Sequence, residues 1–345
     1  MTQKLTRPNK FKVKHVLLAH GNGGRLMREL IEQVFAHHLH NELLDTNSDA
    51  AFIPFENNGS ELVITTDGFT VEPLEFPGGN IGSLAVHGTV NDLAVSGAKP
   101  LYLTLNAFVE EGLELTVLDR VVESMAQACL ECGVKVVAGD TKVLRRGQGG
   151  GIYFATTGVG QRALKHRLGL NQIQLGDMLL LSGTAGDHGT AVMLAREQFG
   201  LSGSLQSDAA SVLPITEALL SCQGLRFMRD PTRGGVATIA HEISHVLKHS
   251  VRLYASKIPI NEQVRVVCDL LGYDPLYMAC EGRVLAVIAP EFAEAAVNKL
   301  QALGYVDAAI IGRVERGRAH VFLETELGGE RILQELEEDP LPRIC

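Results

Sequence analysis

The chain reads as short apolar runs alternating with segments of helical period. Over 23–44, Leu26, Leu30 and Phe35 fall near one face with Met27, Ile31 and Val34 beside them, which predicts an amphipathic helix. "ELVITTDGFTV" (61–71) predicts a strand, and "NIGSLAVHGTVNDLAVSGAKP" (80–100) a helix of small residues stopped by Gly97 and Pro100. A strand over 101–109, a helix over 115–132 with a Gly133 stop, and strands over 134–143 and 151–160 follow. The polar stretch 161–177 interrupts the pattern, which then restarts. A strand from 178 ends in a Gly-rich loop reaching 189; helices are predicted over 190–200, 213–222, 234–249 and 291–304. Strands are predicted over 251–260, 282–290, 308–315 and 320–325. Strands alternating with helices predict an α/β (α+β) fold. The expected organisation is an extension and first helix over 1–40, a unit over 41–165, a second α/β unit over 166–325, and a charged, weakly structured tail over 326–345.

Composition narrows this picture. The 345 residues carry a formal charge of −9, which argues against a general nucleic-acid surface. The basic stretch Lys4, Arg7, Lys10, Lys12 and Lys14 reads as a solvated extension. No secretory signal and no apolar run near the ~18 residues of a membrane span occur, so a soluble cytoplasmic protein is expected. The six cysteines do not suggest a disulfide framework. Cys129 and Cys132 close a helix rather than open one, so packing is expected of them rather than redox chemistry.

Carboxylates recur where apolar strands end or in adjoining turns: Asp49, Asp67, Asp140 and Asp187; Asp92 interrupts the small-residue helix. Taken singly, each reads as a turn or cap residue. As a set they would repel one another unless a divalent cation neutralised them, and Mg²⁺ favours carboxylates together with substrate phosphates. Gly-rich turns stand at 20–25, 182–189 and 230–235, but none has P-loop or dinucleotide-fingerprint spacing. Lys142 directly follows Asp140 and Thr141, and Glu281 precedes a predicted buried strand. Each has an ordinary reading as an ion-pair partner or a solvated residue, and a functional one beside the carboxylates. The sequence ends "LPRIC", which places a thiol, Cys345, behind two prolines. A thiol on such a tether reads as a carrier, loaded in one place and used in another. The final six to eight residues, extended, would span roughly 20–25 Å.

"TTDGFTV", "HGTVNDLAVSGAKP", "AGDTKV", "RDPTRGG", "ACEGR" and the terminal "PRIC" resemble, in this order, motifs of the HypE family of hydrogenase maturation factors. That family lies within the superfamily of aminoimidazole ribonucleotide (AIR) synthetase, selenophosphate synthetase and thiamine monophosphate kinase. The resemblance implies a two-domain AIR-synthetase-like (PurM-like) fold with N-terminal sheets pairing across a homodimer and ATP bound near that interface. It implies ATP-dependent dehydration of an S-carbamoyl group on Cys345 to a thiocyanate. The carbamoyl group would come from HypF, and the cyanide would pass to iron on a HypC–HypD complex. By the same resemblance Asp49, Asp67, Asp92 and Asp140 would hold Mg²⁺, with Asn91 and Thr141 assisting at the Mg-ATP site. Lys142 would stabilise developing charge and Glu281 would take the nitrogen proton. Asp230 and Arg233 would line the cleft from the second domain. A small-molecule kinase or synthetase of the superfamily would use the same motifs without a terminal thiol. A non-catalytic assembly scaffold would hydrolyse no ATP.

Overall fold

The computed structural model describes residues 14–17, 20, 29–42, 59–163, 165, 168–196 and 203–335. Asp49, Cys345 and most of the basic N-terminal stretch lie outside these. A π-helical turn, Ile31–Phe35, continues as α1 (Ala36–Leu39) within the expected first helix.

β1 (Ser60–Phe69) is followed by the short pair β2 (Glu75–Phe76) and β3 (Gly79–Asn80), then by α2 (Ile81–Val95). Asn80 starts α2 with a capping box: its side chain accepts from the Gly82 and Ser83 N–H groups while Ser83 answers to the Asn80 backbone. β4 (Ala98–Glu110), α3 (Leu115–Cys132), β5 (Lys135–Leu144) and β6 (Ile152–Ala163) complete a four-stranded sheet of order β1-β6-β4-β5. Gly133, left-handed at φ 67°, ends α3 as the sequence predicts. α2 lies against the inner face of this sheet so closely that a Cβ on Gly88 would stand 2.7 Å from the Phe69 ring. The outer face presents Leu62 and Ile64, 49% and 62% exposed.

The second unit begins with β7 (Met178–Leu181) and α4 (Asp187–Ala195), then α5 (Leu213–Leu220), β8 (Leu225–Arg229), α6 (Gly235–Leu247) and β9 (Ser250–Tyr254). α7 (Glu262–Leu271), β10 (Leu285–Ile288), α8 (Pro290–Ala302), β11 (Ala309–Glu315), β12 (Val321–Glu324) and β13 (Glu330–Leu333) follow. The strand order is β13-β12-β9-β11-β7-β10-β8. Both faces of the central strands β7 and β10 are buried. Leu179, Leu181, Leu285 and Val287 join one core with α6, while Leu180, Ala286 and Ile288 join another with α5 and α8. Ala94 and Val95 of α2 belong to that second core, so the helix bearing Asp92 is packed into both units.

Several elements depart from expectation. β8 and α7 were not anticipated, and β13 gives order to part of the tail expected to be weakly structured. The strand expected over 251–260 stops at Tyr254, where a 3₁₀ turn (Ala255–Lys257) takes over. Among the described residues no helix is long and apolar enough to cross a membrane.

Candidate active site

The junction of the two units gathers four carboxylates. Asp67 comes from β1, Asp92 from the outward turn of α2, Asp230 from the loop after β8, and Glu281 from the loop before β10. Asp230 and Glu281 are buried. Thr65 Oγ1 donates to Asp92 Oδ2 at 2.9 Å, and the Gly68 N–H donates to Asp67 Oδ1 at 2.7 Å. Burial raises the Asp67 and Asp92 carboxyls, and Asp67 adds to the rise at Asp92. Burial, with Asp92 next, pushes Asp230 up to about 7. Glu281 lies well above the ordinary carboxylate range, first through burial and then through Asp230, Asp208, Asp67 and Asp92. The cation approaching this group most openly is Arg233, whose Nη2 stands 3.7 Å from Asp67 Oδ1 with the side chain 80% exposed.

Asp208 sits behind Glu281 and was not anticipated. Its carboxylate accepts from the backbone N–H groups of Glu281 (3.2 Å) and Gly282 (3.3 Å) and lies 3.5 Å from Arg283 Nε. Burial pushes it up to about 6 while Arg283 pulls the other way. The approach is too tight for a side chain: a Cβ on Gly282 would stand 1.8 Å from the Asp208 carbonyl oxygen. Arg283 also pairs with Asp187 at 3.3 Å, so Asp187 belongs to this supporting layer. With Arg283 occupied by two carboxylates, the outer group of four stays rich in negative charge.

Asn91 is fully buried and its amide is spent on backbone. Nδ2 donates to the carbonyls of Ala210 and Glu281, both at 3.0 Å, and Oδ1 accepts from the Val212 N–H at 2.9 Å. Asn91, expected to assist at the Mg-ATP site, fastens α2 to the loops of the second unit.

Asp140, Thr141 and Lys142 are not brought to this cluster. Asp67 is in register with Thr156, Thr156 with Leu105, and Leu105 with Gly139. Asp67 thus shares its face with buried Leu105, whereas Asp140, one residue beyond Gly139, points to the other face. Three strand spacings, ~14 Å, also separate their strands. Within one subunit, then, Asp140 does not join Asp67 and Asp92, with which the sequence reading groups it as a Mg²⁺ ligand. On its own face Asp140 accepts from the Thr141 N–H at 2.8 Å and pairs with Lys142 Nζ at 3.1 Å, both side chains being about half exposed or more. Thr141 is buried on the inner side.

The chain matches known proteins across both units. Residues 47–161 match the AIR synthase related protein N-terminal domain, and residues 174–323 its C-terminal domain. The chain is 43% identical over 333 residues to carbamoyl dehydratase HypE of Azotobacter vinelandii, covering 96% of this chain and 97% of that protein. It belongs to the HypE family. A crystal structure of the hydrogenase maturation protein HypE in complex with ATP superposes with a TM-score of 0.90 at 41% identity, over 95% of this chain and 99% of that one. HypE from a HypE–HypF complex superposes with a TM-score of 0.77 at 41% identity, over 89% and 99%.

Within the family fold, "TTDGFTV", "VNDLAV", "RDPTRGG" and "ACEGR" meet at one junction. Cys129 and Cys132 are buried, and burial pushes the Cys129 thiol up to about 12, which fits packing.

Proposed function

We propose that this chain dehydrates an S-carbamoyl group on Cys345 to S-cyanide using ATP, as a carbamoyl dehydratase of hydrogenase maturation. HypF supplies the carbamoyl group, and a HypC–HypD complex accepts the cyanide for the iron of a nickel–iron hydrogenase. The observation that carries the reading is the buried Glu281, its carboxyl held well above the ordinary carboxylate range by burial and then by Asp230, Asp208, Asp67 and Asp92. Hard oxygen donors with excess negative charge fit Mg²⁺. Asp67, Asp92 and Asp230 would hold it, with Asp49 joining them by family resemblance, and when bound it offsets charge on the phosphates of ATP.

The chemistry balances as follows. The carbamoyl oxygen attacks the γ-phosphorus, the bond to the ADP oxygen breaks, and one nitrogen proton leaves. The second nitrogen proton leaves as the C–O bond breaks, giving S–C≡N and inorganic phosphate. Glu281, desolvated and therefore a stronger base than an exposed carboxylate, takes a nitrogen proton. Arg233 lines the opening with a cation, and Lys142 stabilises charge on the carbamoyl oxygen or the transferring phosphoryl group.

Lys142 meets Glu281 only if a second subunit supplies it, since the sheet separates the two within one chain. A homodimer pairing through the outer faces that carry Leu62 and Ile64 would cover that apolar surface. Because β1 is an edge strand, such pairing would let Asp140 and Lys142 of the partner subunit reach the carboxylates round that edge. Phosphate release tests the overall reading. It should be stoichiometric with carbamoyl loading and absent in Cys345→Ala; release independent of loading overturns it.

A further inference from the structure

A second donor cluster lies at the far end of α6, away from the carboxylates. His241 and His245 are one helical turn apart on α6, and Glu335 follows β13. One ligand atom from each lies within 4.8 Å of the others, with His245 Nε2 3.6 Å from Glu335 Oε2. His241 is only 7% exposed, and its Nε2 has no hydrogen-bond partner among the described residues. An unsatisfied buried imidazole nitrogen costs stability unless something occupies it.

We propose that His241, His245 and Glu335 form a binding site for a divalent transition cation of the zinc class. Two imidazoles and one carboxylate suit a borderline ion, in contrast to the all-oxygen set at the junction. Ligands about 2.0–2.1 Å from a tetrahedral ion stand ~3.3 Å apart, so small rotations of the exposed His245 and Glu335 side chains close the site. The backbone is already held for this. The Tyr277 hydroxyl donates to the Gln334 carbonyl at 2.5 Å, and the carbonyls of Leu333 and Gln334 lie against the His241 ring. A fourth position is left for water.

The site fixes the chain ten residues before Cys345. His245 is also ten residues, ~15 Å, along α6 from Gly235 and the "DPTRGG" turn. Ten extended residues span at most ~33–36 Å, so a root pinned there leaves Cys345 within reach of the junction. That consequence rests on the carrier reading of Cys345; the metal site does not.

The test is equilibrium dialysis of the full chain against Zn²⁺, with Co²⁺ absorption as a ligand probe. It compares wild type, Cys345→Ala, His245→Ala and Glu335→Gln. One ion per chain is expected in wild type and in Cys345→Ala, with nitrogen/oxygen-type Co²⁺ bands and a metal-dependent rise in melting temperature. His245→Ala should bind at least about 30-fold more weakly and lose that rise, and Glu335→Gln should bind several-fold more weakly. His245 is half exposed, so the metal-free melting temperature of its variant should match wild type. No binding, binding unchanged in His245→Ala, or sulfur-to-cobalt charge-transfer bands that vanish in Cys345→Ala would overturn the site. None of these outcomes bears on phosphate release, so the two proposals fail separately.

Discussion

The side-chain amide of Asn91 donates to the backbone carbonyl of Glu281 at 3.0 Å. One residue from Asp92, it ties the helix bearing one carboxylate to the loop bearing another. Asn91→Ala would strand the Val212 N–H and the Ala210 and Glu281 carbonyls in a buried site. At roughly 1–3 kcal/mol for a lost buried partner, a cost of about 3 kcal/mol is expected. Urea unfolding should show it; a loss under about 0.5 kcal/mol would contradict the fastening role.

Glu281→Gln should slow single-turnover dehydration by about 10²–10⁴-fold, with ATP affinity changed little. In wild type the rate should rise with pH as the raised Glu281 carboxyl loses its proton. A variant that dehydrates at the wild-type rate would remove Glu281 from the chemistry.

The carboxylates also make a stability prediction. A carboxyl with a folded pKa above its unfolded value binds more protons folded than unfolded between the two, so stability falls as pH rises through that window. For Asp230 the window runs from about 4 to about 7. The buried His87, His188 and His241, all lowered, act in the opposite direction at acid pH. At pH ~6.5 their unfolded imidazoles are about half protonated, and that contribution is the same in wild type and Asp230→Asn. Between pH 6.5 and 8 the metal-free Asp230→Asn protein should therefore gain melting temperature relative to wild type. Mg²⁺ with ATP should stabilise more at pH 8 than at pH 6.5. A wild-type slope matching that of Asp230→Asn would contradict the cluster's electrostatics.

Much of this was legible in the residues, for definable reasons. The small-residue helix 80–100 and the helix 115–132 announce themselves through Asn80, Gly97 and Gly133, which cap or stop them. Asp67, Asp92, Asp230 and Glu281 could be singled out by motif, and the fold brings them together. β8 escaped notice because it is a five-residue edge strand in which arginines, Arg226 and Arg229, take two of the five positions and break the apolar run. α7 did carry a signal, since Val264, Val267 and Cys268 have helical spacing between an Asn261 cap and Gly272. β13 is another edge strand, and only Leu333 of its four residues is buried. Asp208, between Ser207 and Ala209, has no local pattern; its role comes from Gly282 and Arg283, more than seventy positions away. The separation of Asp140 and Lys142 from Asp67 was hidden too, because strand order and register are long-range properties.

Subunit mixing tests the proposed sharing of the site between subunits. Lys142→Ala and Glu281→Gln homodimers should both be inactive. Dissociated and reassembled at equal concentrations, half of the dimers are mixed, and each mixed dimer holds one site with both residues intact. Activity should recover to about a quarter of wild type, an estimate from random assortment of a C2 pair. No recovery, with mixed dimers demonstrated by mass, would place both residues' action within one subunit.

Intact-mass spectrometry of the full chain bears on the central claim most directly. The protein would be loaded with a carbamoyl-transferring partner, then given Mg²⁺ and ATP, with Cys345→Ala alongside. The predicted result is a gain of ~43 Da on loading and a fall of ~18 Da after ATP, both absent in the variant; these are formula masses for a covalent cysteine adduct. An adduct that persists in Cys345→Ala, or one that ATP leaves unchanged, would contradict it.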